Sequence, residues 1–238
     1  CDARQDIVAH SMGGLVARNY ILSNPDNHHV ERVVTIGSPF LGAPVAIYRL
    51  QRGYFFEGDP PGKIIDLVTT AAIRHVLRNF PGLHQLLPSR RYFEVASTRT
   101  AVREDGVDLN GNGAMHDPLT FVDFVRWLDN EFPDSRPGSE TDGFHTRQQD
   151  DWRSDTRAVK YLHIVGEQSQ PNTTGEVVVQ SRIVSDGYDA KEILVLRRNQ
   201  VDGDETVPFD SAYRTPEYWA PDTEASILIE SFPSATLS

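Results

Sequence analysis

Apolar residues first gather at Ile7-Val8-Ala9, a short run that follows Asp6 and ends in small residues. From Met12 the period changes. Met12, Val16 and Tyr20, with Ala17 and Ile21, recur at four-residue steps, the spacing of a helix face. Asn24-Pro25 closes that helix. Val33-Val34-Thr35-Ile36 is an unbroken β-branched run, expected of a strand covered on both faces in a parallel sheet. Strand, helix and strand in about thirty residues predict one βαβ unit.

The middle of the chain has another character. Residues 61–80 read as helical with two apolar stripes: Ile64, Leu67, Val68 and Ala71, then Ile73, Val76, Leu77 and Phe80 about half a turn away. Such a segment is sandwiched in a core, broken in two, or a lid that packs one face inward and offers the other to lipid. Residues 119–129 predict a cleaner amphipathic helix through Phe121, Phe124, Val125 and Leu128, with Asp117-Pro118 at its start. Residues 130–158 are polar and read as an exposed loop. Strand character returns at Tyr161–Val165, Val177–Val179, Ile193–Leu196 and Ser226–Ile229. The plan is a sheet core at both ends of the chain, residues 1–47 and 159–238, with a mostly helical cap or lid at 48–158. The fold class is α/β: a mainly parallel sheet flanked by helices.

Composition narrows the function. The 238 residues carry 23 Lys and Arg against 34 Asp and Glu, a net charge of −11. With no basic cluster to meet phosphates, nucleic acid is excluded as a partner. No apolar run approaches the ~18–20 residues of a membrane span. The single cysteine, Cys1, leaves no internal disulfide and no cysteine-based zinc site.

The chemistry centres on Ala9-His10-Ser11-Met12-Gly13-Gly14, at the junction of strand and helix. A serine there, with Ala and Gly two residues to either side, fits a nucleophile elbow. The turn is so tight that only small neighbours leave room for the backbone, and Oγ projects above the sheet edge. The following helix points its first amides toward developing negative charge, so the Met12 N–H is the expected oxyanion donor. The competing reading of Ser11 is a structural helix cap.

The stretch Asp6 to Ile21 resembles the elbow of α/β-hydrolase lipases. Three further segments resemble the lecithin:cholesterol acyltransferase family: Thr35–Pro44 after the elbow, His84-Gln85-Leu86-Leu87-Pro88-Ser89 with Tyr92-Phe93, and Gly203-Asp204-Glu205-Thr206-Val207-Pro208. The resemblance implies a partial α/β-hydrolase fold and makes Asp204 the triad acid, one residue before the Glu205-Thr206-Val207 run. Glu205 departs from the family pattern, and Asp202 is the alternative acid if the loop register differs. A triad acid orients the imidazole and stabilises the imidazolium formed during attack.

The base is the missing piece. In α/β-hydrolase order the histidine follows the last strand, and no histidine lies beyond His163. His163 alternates within a strand and reads as structural. The chain opens at Cys1, runs almost at once into a strand and stops soon after another, so it reads as an internal fragment. On that reading the catalytic histidine and the second oxyanion amide lie outside it, apolar sheet edges are exposed, and the fragment is aggregation-prone and inactive.

Two weaker signals remain. Asp108-Leu109-Asn110-Gly111-Asn112-Gly113 has the one-three-five oxygen spacing and glycine of a calcium loop, but position twelve is Leu119 where a bidentate acid belongs. A polar turn is the preferred reading, and no metal or cofactor is called for. Asn172-Thr173-Thr174 is a formal glycosylation acceptor, meaningful only in a eukaryotic secreted protein. The expected function is a serine lipase, esterase or O-acyltransferase on lipid esters, with transient lipid-surface contact through the lid. The alternative is a non-catalytic module of the same fold that binds a lipid or protein.

Overall fold

A computed structural model describes residues 4–52, 75–96, 98, 100–146, 159–168, 171–185, 190–204, 206–212 and 225–232. In chain order its elements are β1 (Gln5–His10), α1 (Met12–Ser23), β2 (Val30–Ile36), α2 (Val45–Arg52), α3 (Pro81–His84), α4 (Arg90–Val95), β3 (Val102–Asp105), α5 (Phe121–Glu131), α6 (Pro137–Phe144), β4 (Lys160–Gln168), β5 (Thr173–Ser185), β6 (Ala190–Val201), α7 (Phe209–Ala212) and β7 (Ala225–Phe232).

The expected βαβ unit is present. β1 and β2 pair in parallel, with Ile7 opposite Val33 and His10 opposite Ile36. β4 pairs with β2 and β7 with β4, both parallel, giving a four-stranded sheet in the order β1-β2-β4-β7. Asn24 ends α1 by donating its backbone N–H to Ile21 O and its side-chain amide to Tyr20 O.

The buried face of α1 is not the four-residue stripe. Gly14, Leu15, Ala17, Arg18 and Ile21 face the sheet, while Met12, Val16 and Tyr20 are exposed. The turn at Ser11 sets the roll of the helix, and hydrophobicity along one stripe cannot override it. Under that face Leu15, Ile21, Val33, Phe40, Val159 and Tyr161 form one core cluster, each large apolar side chain contributing about 1.5–3 kcal/mol by leaving water.

A second cluster lies in the middle of the chain. It joins Leu41, Ile47 and Leu50 to Leu77, Leu87 and Tyr92, to Phe124, Trp127 and Leu128 of α5, and to Val177, Val179 and Leu196. The last three belong to a second sheet. β5 pairs antiparallel with β6 and parallel with β3, so these strands do not extend the main sheet. A β-branched run reports a buried strand but not which partner it takes. β3, Val-Arg-Glu-Asp, escaped notice because Val102 is its only apolar residue.

The helix expected at 119–129 forms at Phe121–Glu131, with Phe121, Phe124 and Leu128 buried and Val125 half-buried. Its cap is Thr120, whose hydroxyl accepts from Asp123 N, one residue group later than Asp117-Pro118 suggested. The exposed loop expected from residue 130 is instead partly helical. α6 buries Pro137, Gly138 and Thr141, and Asp129 Oδ1 accepts from the Gly138 and Ser139 amides at its start. Polar composition hid this helix because its buried positions are small. Most of the two-striped segment, 61–74, lies outside the described residues; of its remainder, Leu77 is buried while Val76 and Phe80 are exposed.

Helix α1 approaches β2 most closely at Gly14. A Cβ there would lie 2.6 Å from Ser38 Cβ and 3.4 Å from Thr35 Cγ2, inside contact distance. Gly14→Ala is therefore expected to cost about 1–3 kcal/mol through overpacking. The same change in a Ser38→Gly background should cost much less. Urea-unfolding midpoints of the four proteins check this, and equal costs in both backgrounds would refute the contact.

Candidate active site

The strand–turn–helix junction is strained at Ser11. Ser11 has φ 52° and ψ −128°, a positive φ rare for a residue with a side chain and costing of order 1–3 kcal/mol. Two backbone hydrogen bonds hold it: Ser11 N donates to Ile36 O at 2.9 Å, and Gly14 N to Ser11 O at 3.0 Å. The side chain makes no capping hydrogen bond to α1. Ser11 is half-buried at the carboxyl end of β1. Met12 is the first helical residue, so its N–H is one of those with no acceptor inside the helix.

The acidic loop arrives beside the same strand ends. β2 ends at Ile36, which accepts the Ser11 N–H, and the next residue is Gly37, at φ 53°. A Cβ on Gly37 would lie 2.6 Å from Asp204 Oδ2, so that carboxylate oxygen rests against the backbone next to the elbow. The other oxygen, Oδ1, accepts from Val207 N at 2.7 Å and Thr206 N at 3.1 Å. Asp204 is half-buried whereas Asp202 is exposed; the Glu205 side chain lies outside the described residues.

A residue that sequence reasoning missed ties this loop down. Phe209 N donates to Asp202 O, closing the loop, and α7 follows directly. There Ser211, fully buried, accepts from Leu41 N at 3.2 Å and donates to Gly42 O at 2.5 Å. The acid loop is thus fastened to the loop after β2 across some 170 residues of chain. Nothing local in Phe-Asp-Ser-Ala marks that serine.

Five of the eight histidines are engaged away from Ser11 and Asp204. His163 Nδ1 shares a 2.6 Å hydrogen bond with Thr35 Oγ1, and its ring lies between Phe40 and Tyr161. Beside it the buried Arg18 guanidinium donates to Tyr161 OH at 3.3 Å. His145 Nε2 donates to Gln85 O, and His84 Nε2 to Arg78 O. Burial holds the His84 imidazole below its ordinary pKa, outweighing the Arg78 carbonyl and the Glu140 and Asp129 charges that pull it up. His28 Nδ1 accepts from Val30 N, His116 pairs with Asp105, and His10 is exposed. Neither Ser11 nor Asp204 hydrogen-bonds any of them.

A parallel sheet whose strand turns through a strained serine into a helix, with an acid on a later loop at the same sheet end, is the α/β-hydrolase fold. A chain in the crystal structure of the Tle4–Tli4 complex has a similar fold, with a TM-score of 0.57, 16% sequence identity and coverage of 89% of this chain and 50% of that one. This chain thus spans about half the length of that structure. No curated protein matches it as a relative. The family model of lecithin:cholesterol acyltransferase matches residues 2–170, and the chain belongs to that family. The matched stretch contains Ser11 and stops before Asp204.

The two roles of Asp204 can be separated. Asp204→Ala leaves the Thr206 and Val207 amides without their acceptor and should lower stability by about 1–3 kcal/mol. Asp204→Asn keeps an oxygen at the Oδ1 position and should stay close to wild type. Thermal unfolding of both variants is the check; equal losses would show that the loop depends on the charge rather than on the acceptor.

Proposed function

We propose that this chain carries the nucleophile and the acid of a serine lipase, esterase or O-acyltransferase acting on lipid esters. The supporting observation is the Ser11 turn itself. It is strained, half-open, not used as a cap, and backed by the strand end against which Asp204 rests.

Ser11 Oγ attacks the ester carbonyl carbon while its proton passes to a histidine base. The carbonyl oxygen becomes an oxyanion and accepts the Met12 N–H. Collapse breaks the bond to the alcohol, which leaves with the proton from the imidazolium, and Ser11 is acylated. Water or an acceptor alcohol then repeats the sequence and releases a fatty acid or a new ester. Asp204 Oδ2 orients the imidazole. The base we assign to a histidine beyond these 238 residues, after β7, because none of the eight within them hydrogen-bonds Ser11 or Asp204. The hydrolase core of this reading is 1–47 and 159–238, apart from the β5–β6 hairpin. Residues 48–158 form the cap, to which the β5–β6 hairpin adds two strands. Val76 and Phe80, exposed near the end of the two-striped segment, are the side chains we assign to lipid-surface contact.

In the parent protein, Ser11→Ala should lower ester hydrolysis on the order of 10⁵–10⁶-fold with folding intact, and a fluorophosphonate probe should label Ser11. Labelling at any other residue rejects the assignment. Residues 1–238 alone should not turn over a short-chain nitrophenyl ester. Steady turnover by them, abolished in Ser11→Ala, would reject the external base.

A further inference from the structure

The loop that joins β3 to α5 does more than turn the chain. Glu104 N donates to Asp117 O and Gly106 N to Met115 O, so the loop leaves β3 and returns antiparallel along it. Between these bonds the segment Asp108–Ala114 curls on its own side chains. Asp108 accepts from the amides of Gly111, Asn112 and Gly113, Asn110 Oδ1 from Asn112 N, and Asn112 Oδ1 from Ala114 N. Gly111 and Gly113 take φ of 76° and 84°, which the winding requires. Oxygens of three side chains, at positions one, three and five, are therefore gathered on the backbone of one short coil.

Such a coil by itself is only a polar turn. The second observation is Glu104. It lies on β3 at 1% exposure, beneath the loop. Its Oε1 accepts from Leu109 N at 2.6 Å and Asn110 N at 3.2 Å, the second and third residues of the coil. Its Oε2 is buried and has no hydrogen-bond partner. A buried carboxylate oxygen with nothing to meet it is costly unless it is neutralised or bound. Burial raises the Glu104 pKa above the ordinary glutamate value despite the two loop amides, and the Asp108 and Asp117 charges raise it further. The Glu104 carboxylate thus feels both aspartates, a repulsion that a cation removes.

We propose that Glu104, Asp108, Asn110 and Asn112 form a calcium site, with Glu104 supplying from the preceding strand the acid that Leu119 cannot supply at position twelve. Among the described residues no group of three or more His, Cys, Asp or Glu side chains converges as a ready-made metal centre. The donor set here is of another kind: two carboxylates and two amide oxygens, with the Ala114 carbonyl at position seven. Calcium accepts such mixed oxygen ligands in flexible geometry, whereas magnesium demands a near-ideal octahedron and dehydrates reluctantly. The effect would be structural. Val107 and Leu109 pack against the cap cluster, and the returning strand runs into Phe121 of α5. A filled loop therefore pins the cap.

The test is calcium titration of the chelator-stripped protein, followed by thermal unfolding and by calorimetry. Calcium should raise the unfolding midpoint with one site per chain, saturating at or below the ~10⁻³ M of extracellular calcium modules, while magnesium at the same concentration leaves it unmoved. Asp108→Ala should abolish the response, and Glu104→Gln should weaken affinity at least tenfold. Asn112→Asp adds a ligand charge and should tighten it, which keeps the test decisive if Asp108→Ala does not fold. No calcium response in the wild-type protein would mean a protonated Glu104 under an ordinary turn and would overturn the proposal. So would an equal response to magnesium, a response retained in Asp108→Ala, or an affinity unchanged in both Glu104→Gln and Asn112→Asp.

Discussion

Helix α1 packs at Gly14 against the chain that leaves β2, at a position without a side chain. A Cβ there would overlap the Ser38 side chain. Three residues earlier the same turn carries Ser11 to a positive φ. The strain is sustained because the Ser11 N–H has an acceptor in Ile36 O and Leu15, Ile21 and Phe40 are buried below. Loosen the helix from the strand and the serine has no reason to hold its conformation. The rest of the candidate site is referred to the same strand end, since Gly37 follows Ile36 and meets Asp204.

The acid reaches that point by a different device. Between β4 and the Asp204 loop the chain makes a long excursion through β5 and β6, which belong to the other sheet. Strand pairing in the main sheet therefore does not carry the loop into place. Its position rests on its own closed turn and on Ser211, which bridges backbone groups of Leu41 and Gly42. The same short loop after β2 is held from the other side: Ala43 N donates to Leu86 O and Ser89 N to Leu41 O. Gly42, at φ 82°, passes directly against the Leu87 carbonyl. One irregular segment, residues 37–44, thus sets the distance between elbow, acid and cap.

What was legible in the sequence follows from how local the signal is. The tight turn at Ser11 was readable because a steric demand for small residues on both sides of a serine leaves a trace within six positions. The strands of the main sheet were readable from β-branched runs. The expectation at Asp204 came from the resemblance of its loop to a family segment, and the structure places that loop beside Gly37 at the end of β2. The roll of α1 was not legible, because Gly14 and Arg18 face inward for reasons set by β2 and Tyr161, far along the chain. β3 and α6 were missed because they bury glutamate, proline, glycine and threonine, which composition scores as loop. Ser211 and Glu104 were invisible for the same reason: each matters through backbone groups that no sequence pattern names.

The two core clusters share a single partly buried residue, Leu86, which packs against both. It lies in the His84–Ser89 segment, where His84 donates to Arg78 O, the Gln85 carbonyl accepts from His145 and the Leu87 carbonyl accepts from Thr141 of α6. A displacement of the cap must therefore be felt at Leu86 and, through the Ala43–Leu86 hydrogen bond, in the loop that positions Ser11 and Asp204. Packed interiors transmit such shifts because they have little free volume to absorb them. Leu86 is thus the packed link between the middle cluster, against which Val107 and Leu109 also lie, and the loop beside the candidate site.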